Sequence, residues 1–286
     1  MKGQIRQSLS GYYDVVTEDG QEIRTRARGV FRKKKQSPLV GDWVDFKVEN
    51  SEGYLLKIEK RKNQLVRPPV ANVDAAIIVS ACVQPDFSSN LLDRQLIMLA
   101  ANQIQPLLYF SKADLLNQED RQKMQSIIEY YGKFYPVQVN TEKKNLLDTL
   151  HDQVIVVMGQ TGAGKSTLLN ELNPNLKLET GEISKALSRG KHTTRKVTLM
   201  TIGENLIADT PGFSSFDILE VTKEELPNFY PDFVKYRDQC KYRGCLHVNE
   251  PQCAVKKAVQ EQLILQSRYD NYLQFHNMIL NRKPKY

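Results

Sequence analysis

Residues Gly159-Gln160-Thr161-Gly162-Ala163-Gly164-Lys165-Ser166-Thr167 follow the pattern Gly-x-x-x-x-Gly-Lys-Ser, and their reading decides the fold. Such a stretch makes a phosphate-binding loop when it joins a buried strand to a helix. Both flanks fit. Val154-Ile155-Val156-Val157-Met158 is a short apolar, β-branched run, and Ser166-Thr167-Leu168-Leu169-Asn170 opens a helical pattern. The three glycines let the backbone of 159–167 turn tightly and aim its N–H groups at phosphate oxygens, with the helix N-terminus adding positive potential. Lys165 is expected to reach the β- and γ-phosphates and to support catalysis, and the Ser166 hydroxyl to bind Mg²⁺. The alternative, a Gly-rich turn that binds nothing, leaves the flanking strand and helix unexplained.

Around this loop, from about 67 to 222, strand and helix patterns alternate, which argues for a parallel sheet with helices on both faces. Arg67-Pro68-Pro69 reads as the linker into it. Strands are expected at 73–81, 106–110 and 135–139, helices at 91–100 and 118–131, and a short helix at 145–150. Directly after the second strand stands Ser111-Lys112-Ala113-Asp114, which resembles the guanine-reading Asn-Lys-x-Asp motif of GTPases. Asp114 would accept hydrogen bonds from guanine N1–H and the 2-amino group, a donor pair that adenine lacks, and Lys112 would lay its stem over the base. Ser111 replaces the usual Asn, whose amide ties the base loop to the phosphate loop. A shorter hydroxyl supplies less of that tie, so modest GTP affinity is expected. Val139-Asn140-Thr141 falls where a second base-contacting loop belongs.

Beyond the phosphate loop, a strand at 196–202 is followed by Leu206-Ile207-Ala208-Asp209-Thr210-Pro211-Gly212, an apolar strand ending in Asp-x-x-Gly. Asp209 would hold Mg²⁺ and the Gly212 N–H would contact the γ-phosphate. Between these lies Gly190-Lys191-His192-Thr193-Thr194-Arg195, in the place of a first switch loop, with Thr194 (or Thr193) as the second hydroxyl ligand of Mg²⁺. Phe213 occupies the position where many GTPases carry a water-orienting Gln. An apolar ring cannot do that, so either His192 orients the water or His192 is a surface histidine and another group does so. Intrinsic turnover is expected to be slow, roughly 10⁻⁴ to 10⁻² s⁻¹. The guanine motif precedes the phosphate loop, the reverse of the ordinary order. A circular permutation explains this, since each strand keeps its place in the sheet while the termini move.

Residues 1–66 carry short alternating runs at 12–16, 30–31, 43–48 and 54–58, punctuated by Asp19-Gly20, Gly41-Asp42 and Glu52-Gly53. That pattern predicts about five antiparallel strands in a small β-barrel. Arg24, Arg26, Arg28, Arg32, Lys33, Lys34 and Lys35 stand together without an acidic residue, near Tyr12, Tyr13, Phe31 and Trp43. Such a run serves either as a solvated loop or as a nucleic-acid surface with phosphate contacts and stacking. At the other end, residues 223–286 contain Cys240, Cys245, His247 and Cys253 in the spacing Cys-x₄-Cys-x-His-x₅-Cys. Three thiolates and an imidazole fit a closed tetrahedral, structural Zn²⁺ site. Residues 254–280 read as helical, and Cys82, alone in a strand, as a core residue.

The chain has 286 residues, 41% hydrophobic and 26% charged, enough for two or three globular units. A net charge of +7 with a pI of about 9.1 admits a polyanionic partner. No apolar run approaches the roughly 18 residues that cross a bilayer, and the N-terminus does not read as a secretory signal. A cytoplasmic, monomeric protein with no membrane partner is expected.

Three features together, a permuted order of GTPase motifs, an N-terminal β-barrel and a C-terminal Cys-Cys-His-Cys cluster, resemble the ribosome small-subunit-dependent GTPase family (RsgA/YjeQ/YloQ). The resemblance spans essentially the whole chain. It implies an OB-fold RNA-binding domain over 1–66, a circularly permuted P-loop GTPase domain over 67–222 and a zinc-binding, mostly helical domain over 223–286. It also implies a bacterial GTPase that binds GTP and GDP with Mg²⁺, engages the small ribosomal subunit and its 16S rRNA in late assembly, and is stimulated by that subunit.

Overall fold

In a β-strand alternate side chains face opposite sides, so a run apolar at every position is built to be buried on both. Ala75–Ala81 is such a run. In the computed structural model, which describes residues 1–29, 31, 36–50, 52–66, 68–142, 146–147, 150–176, 197–209 and 221–282, it lies near the middle of the main sheet. Ala76 and Ile78 pack on one side with Leu92, Leu96 and Tyr131, while Ala75, Ile77 and Val79 pack on the other with Leu168 and Leu169.

The chain opens with five strands, β1 (Lys2–Leu9), β2 (Tyr12–Thr17), β3 (Glu22–Ala27), β4 (Trp43–Glu49) and β5 (Glu52–Ile58). They close into a barrel in the order β1-β2-β3-β5-β4, with β4 pairing back to β1. Ile5, Val15, Val44, Phe46 and Leu55 fill it. The third strand is Glu22–Ala27 rather than 30–31 (Val30 lies outside the described residues), and it pairs with β5 in parallel, so the barrel is not wholly antiparallel. Charged side chains hide β3: Glu-Ile-Arg-Thr-Arg-Ala has only its alternate positions facing inward. Besides β2, β1 serves two further partners. Lys2 to Gln4 pair with β4, the register shifts between Ile5 and Gln7, and Gln7 and Ser8 then pair with Thr198 and Val197.

The connection to the next domain is packed. Strands β6 (Gln64–Leu65) and β7 (Val70–Ala71) form a short hairpin whose Leu65 and Val70 are buried. Gly41 has φ +90, and a Cβ there would sit 2.1 Å from Ala71 O, so only glycine allows this approach. Pro68-Pro69, read as a linker, thus falls in the turn between two paired strands, with Pro68 buried and Pro69 half-buried.

The main sheet continues with β8 (Ala75–Ala81), β9 (Gln105–Ser111), β10 (Val137–Val139), β11 (Val154–Gly159), β12 (Val197–Ile202) and β13 (Asn205–Asp209) in the order β10-β9-β8-β11-β13-β12. All pair in parallel except β12, which runs antiparallel to β13 and extends the sheet into the barrel through β1. Helices α1 (Ser89–Ala101) and α2 (Gln118–Gly132) cover one face, and α3 (Lys165–Leu172) the other. The starts of α1 and α2 are capped: Ser88 and Asn117 side chains accept from the N–H groups of Leu91 and Asp120.

The C-terminal unit consists of α4 (Pro231–Arg237), α5 (Ala254–Gln260) and α6 (Gln266–Leu280) around Phe233, Tyr272 and Phe275, with Ile97 of α1 in the same cluster. The expected single helix over 254–280 is two helices. The Leu263 N–H bonds to Ala258 O and the Gln262 N–H to Val259 O, with Gln262 left-handed at φ +58, which closes α5 in a Schellman turn. Among the described residues no helix is long and apolar enough to cross a membrane.

Candidate functional site

From β8 the chain works outward through β9 to β10, then returns to β11 on the far side of β8, with β12 farther out and β13 between β11 and β12. Parallel sheets bind ligands at the carboxyl ends of strands flanking such a reversal, where successive loops diverge and leave a crevice. The phosphate loop begins there. Gly159 ends β11 with φ +143, and a Cβ on it would lie 2.2 Å from Val79 O, so glycine is what lets β11 and β8 close. Gly164, with φ +94, starts α3. The Lys165 ammonium folds back over the loop and donates to the carbonyls of Gly159 and Gln160, both at 2.8 Å. Burial lowers its pKa to about 8. Among the described residues, two backbone carbonyls hold this cation in the place that phosphate oxygens would take.

The loop after β9 closes on the loop after β11. Ser111 is buried, and its Oγ donates to Ala163 O at 2.6 Å. The hydroxyl expected to supply only part of the tie to the phosphate loop makes a short, direct one. Lys112 is left-handed (φ 58) and its Nζ donates to Gln84 O, drawing in the loop after β8 as well. Asp114 sits exposed in a 3₁₀ turn, and Asn140, just past β10, bonds to its carboxylate. Cys82 is a buried thiol, pushed up to about 11 by burial and secondarily by the Asp114 charge, which makes it inert.

On the other side of the loop, parallel pairing of β11 and β13 brings Asp209 to the same edge of the sheet as Gly159. Ser166 lies in the first turn of α3. A hydroxyl and a carboxylate are the oxygen donors that Mg²⁺ takes beside phosphate. His192, Thr193, Thr194, Gly212 and Phe213 lie outside the described residues.

The Cys/His cluster assembles as a second centre. The sulfurs of Cys240, Cys245 and Cys253 and a ring nitrogen of His247 all lie within 4.8 Å of one another. Cys240 Sγ is 3.7 Å from His247 Nδ1 and 3.9 Å from Cys253 Sγ, and His247 Nδ1 is 3.3 Å from Cys253 Sγ. Tetrahedral ligands at Zn–S and Zn–N lengths stand about 3.3–3.8 Å apart, so the donor set and its spacing fit zinc. Burial lowers the His247 pKa to about 4, leaving the imidazole in its neutral, ligating form. The Glu250 carboxylate accepts from the N–H groups of Leu246 and Val248 and shapes the loop between the ligands.

On the barrel, the structure sorts the basic stretch. Arg24 and Arg26 lie over the ring of Tyr12 and Arg28 over Tyr54, all on the exposed side, whereas Phe31 is buried. Asp14, Glu52 and Glu49 pair with these arginines. Residues 32–35 lie outside the described residues.

Two family models match, the RsgA N-terminal domain over residues 2–55 and the RsgA GTPase over residues 58–219. Among curated proteins, the "Small ribosomal subunit biogenesis GTPase RsgA" of Limosilactobacillus reuteri is 55% identical, with 99% of this chain and 98% of that protein covered. The protein of the same name in Leuconostoc citreum is 53% identical, with 100% and 97% covered. Among solved structures, YloQ, described as a circularly permuted GTPase, superposes with a TM-score of 0.80 at 41% identity over 100% of this chain and 96% of its own. YjeQ from Thermotoga maritima superposes with a TM-score of 0.83 at 31% identity over 99% of both chains.

Proposed function

The chain belongs to the RsgA GTPase family and hydrolyses GTP to GDP and phosphate, and from that premise we propose that it acts in late maturation of the small ribosomal subunit. In this reading it binds the subunit through 16S rRNA, and the subunit stimulates its hydrolysis. The observation that carries the nucleotide assignment is the Ser111–Ala163 bond, which joins the base-reading and phosphate-binding loops into one crevice. Residues 159–167 would cradle the phosphates, Lys165 would move from its two carbonyls to the β- and γ-phosphates, and Gly212 would contact the γ-phosphate. Asp114 would read guanine N1–H and the 2-amino group under the stem of Lys112. Ser166, Thr194 and Asp209 would hold Mg²⁺, which supplies charge neutralisation at the phosphates when bound with GTP. His192 would orient the attacking water once the subunit orders its loop.

The layout supports a division into a barrel (1–66), a permuted GTPase domain (67–222) and a zinc-binding unit (223–286), acting as a monomer in the cytoplasm. Cys240, Cys245, His247 and Cys253 would hold structural Zn²⁺, and the arginine–tyrosine layers of the barrel would offer stacking and phosphate contacts to rRNA. GTP turnover with and without purified small subunits tests the central claim, and no stimulation would overturn it. If His192→Ala leaves stimulated turnover intact, His192 has no catalytic role. Because phosphate raises the lowered pKa of Lys165, GDP binding near pH 8 should take up a fraction of a proton. Its affinity should then fall as pH rises above about 8. Calorimetry in buffers of different ionisation heat measures that uptake.

A further inference from the structure

Asn140 stands just beyond β10, beside the strand that ends in the guanine motif, and each of its polar groups facing that motif is engaged. Its backbone N–H donates to Phe110 O at 2.9 Å. Its Oδ1 accepts from the Ala113 N–H at 3.0 Å, and its Nδ2 donates to Asp114 Oδ1 at 2.6 Å. Chemistry fixes the orientation of this amide. An N–H can only donate and a carboxylate can only accept, so the oxygen must face Ala113 and the nitrogen Asp114. Asp114 itself is exposed, and the bond from Asn140 is a side-chain contact that orients its carboxylate.

We infer that Asn140 is a positioning residue for guanine selectivity, aiming the Asp114 carboxylate at the base while Ser111 alone keeps the tie to the phosphate loop. Ser111 at the end of β9 and Asn140 just past β10 thus divide the two tasks. A carboxylate offers about four acceptor sites, so the bond from Asn140 leaves room for both guanine donors. Holding the side chain before the base arrives removes an ordering cost from binding. The inference rests on the reading of Asp114 as the guanine-reading residue.

The test is competition of GDP, inosine diphosphate (which lacks the 2-amino group) and ADP against a fluorescent guanine nucleotide, on the full chain. Asn140→Ala should weaken GDP roughly 10-fold, the worth of a bond to a charged group, weaken inosine diphosphate less and leave ADP unchanged. Asn140→Asp retains an acceptor for the Ala113 N–H but sets a second carboxylate against Asp114. It should lose at least as much GDP affinity as the alanine variant. In an Asp114→Ala background, Asn140→Ala should add nothing. Equal losses for all three nucleotides, wild-type behaviour of Asn140→Asp, or additivity with Asp114→Ala would each overturn the inference while leaving guanine specificity standing. A wild-type chain that did not prefer GDP to ADP would overturn both.

Discussion

Buried arginine–aspartate contacts of different make-up lie on the two sides of the GTPase core, one within the barrel and one that joins the core to the C-terminal unit. At the barrel, Arg61 grips Asp42 with two bonds, Nε to Oδ1 at 2.7 Å and Nη2 to Oδ2 at 2.8 Å. The carboxylate is fully buried, but the arginine side chain is 16% exposed. At the C-terminal unit, Arg268 of α6 is 1% exposed and faces two buried carboxylates, Asp93 of α1 and Asp232 of α4. Tyr131 and Asn271 donate to Asp93, Tyr130 donates to Asp232, and the guanidinium lies over Tyr230 and Tyr131. The first contact is a neutral pair at the edge of water. The second sets two buried carboxyl groups against one guanidinium in a dry interior, with hydroxyl and amide donors around them. A rim pair tolerates loss of a partner because water can replace it, whereas a buried one does not. The helical unit is therefore fixed firmly to α1 and α2, on the side of the sheet that carries the guanine motif. The barrel is held by its hairpin connection and by two residue pairs between β1 and β12.

Removing Arg268 should give the largest effect that separates the two contacts. Arg268→Met strands two buried carboxylates and should cost about 3–5 kcal/mol in urea unfolding, with early loss of amide protection in α4 and α6. A loss below that of the barrel variant would erase the distinction. Arg61→Met should cost less, about 1–3 kcal/mol, since Asp42 keeps its bond from the Leu39 N–H and can draw water from the rim. Asp93→Asn should cost about 1 kcal/mol or less, because a neutral amide needs less solvation than a buried carboxylate and keeps an acceptor for Arg268. The same variant sharpens the comparison through pH. Burial, outweighing the pull of Arg268, holds the Asp93 carboxyl above its usual range, so the folded chain retains a proton that the unfolded chain releases. Stability from this site is greatest below the ordinary carboxylate pKa and is lost as pH rises through the folded pKa. Asp93→Asn should flatten that slope relative to wild type. The smallest effect belongs to Gln7→Ala, at the β1–β12 pairing, within about 0.5 kcal/mol.

The strand–loop–helix around Gly159–Thr167 and the Cys/His cluster were legible because each is a short stretch whose spacing is itself the chemistry. Strands β8 and β11 were legible because burial on both faces leaves an unbroken apolar run. β3 was not, since Arg24 and Arg26 on its outer face mask an inward face of few residues. Nor was the break at Gln262, where a non-glycine residue takes a left-handed turn that glycine would have announced. Ser111 looked like a deficiency when compared with a motif, yet its hydroxyl reaches Ala163 because the two loops approach closely.

By itself the sequence determined what can be written within a dozen neighbouring residues: a Gly-x-x-x-x-Gly-Lys-Ser loop, a Ser-Lys-x-Asp stretch placed ahead of it, and three cysteines and a histidine at metal-ligand spacing. Tertiary structure decided what depends on residues far apart in the chain. It set Asn140 against Asp114, extended the main sheet with a barrel strand, and gathered Asp93, Tyr130, Tyr131, Asp232 and Arg268 around one buried charge. The physical reason is that backbone geometry and ligand spacing are local, whereas burial, and with it the strength of a charge or a hydrogen bond, belongs to the packed whole.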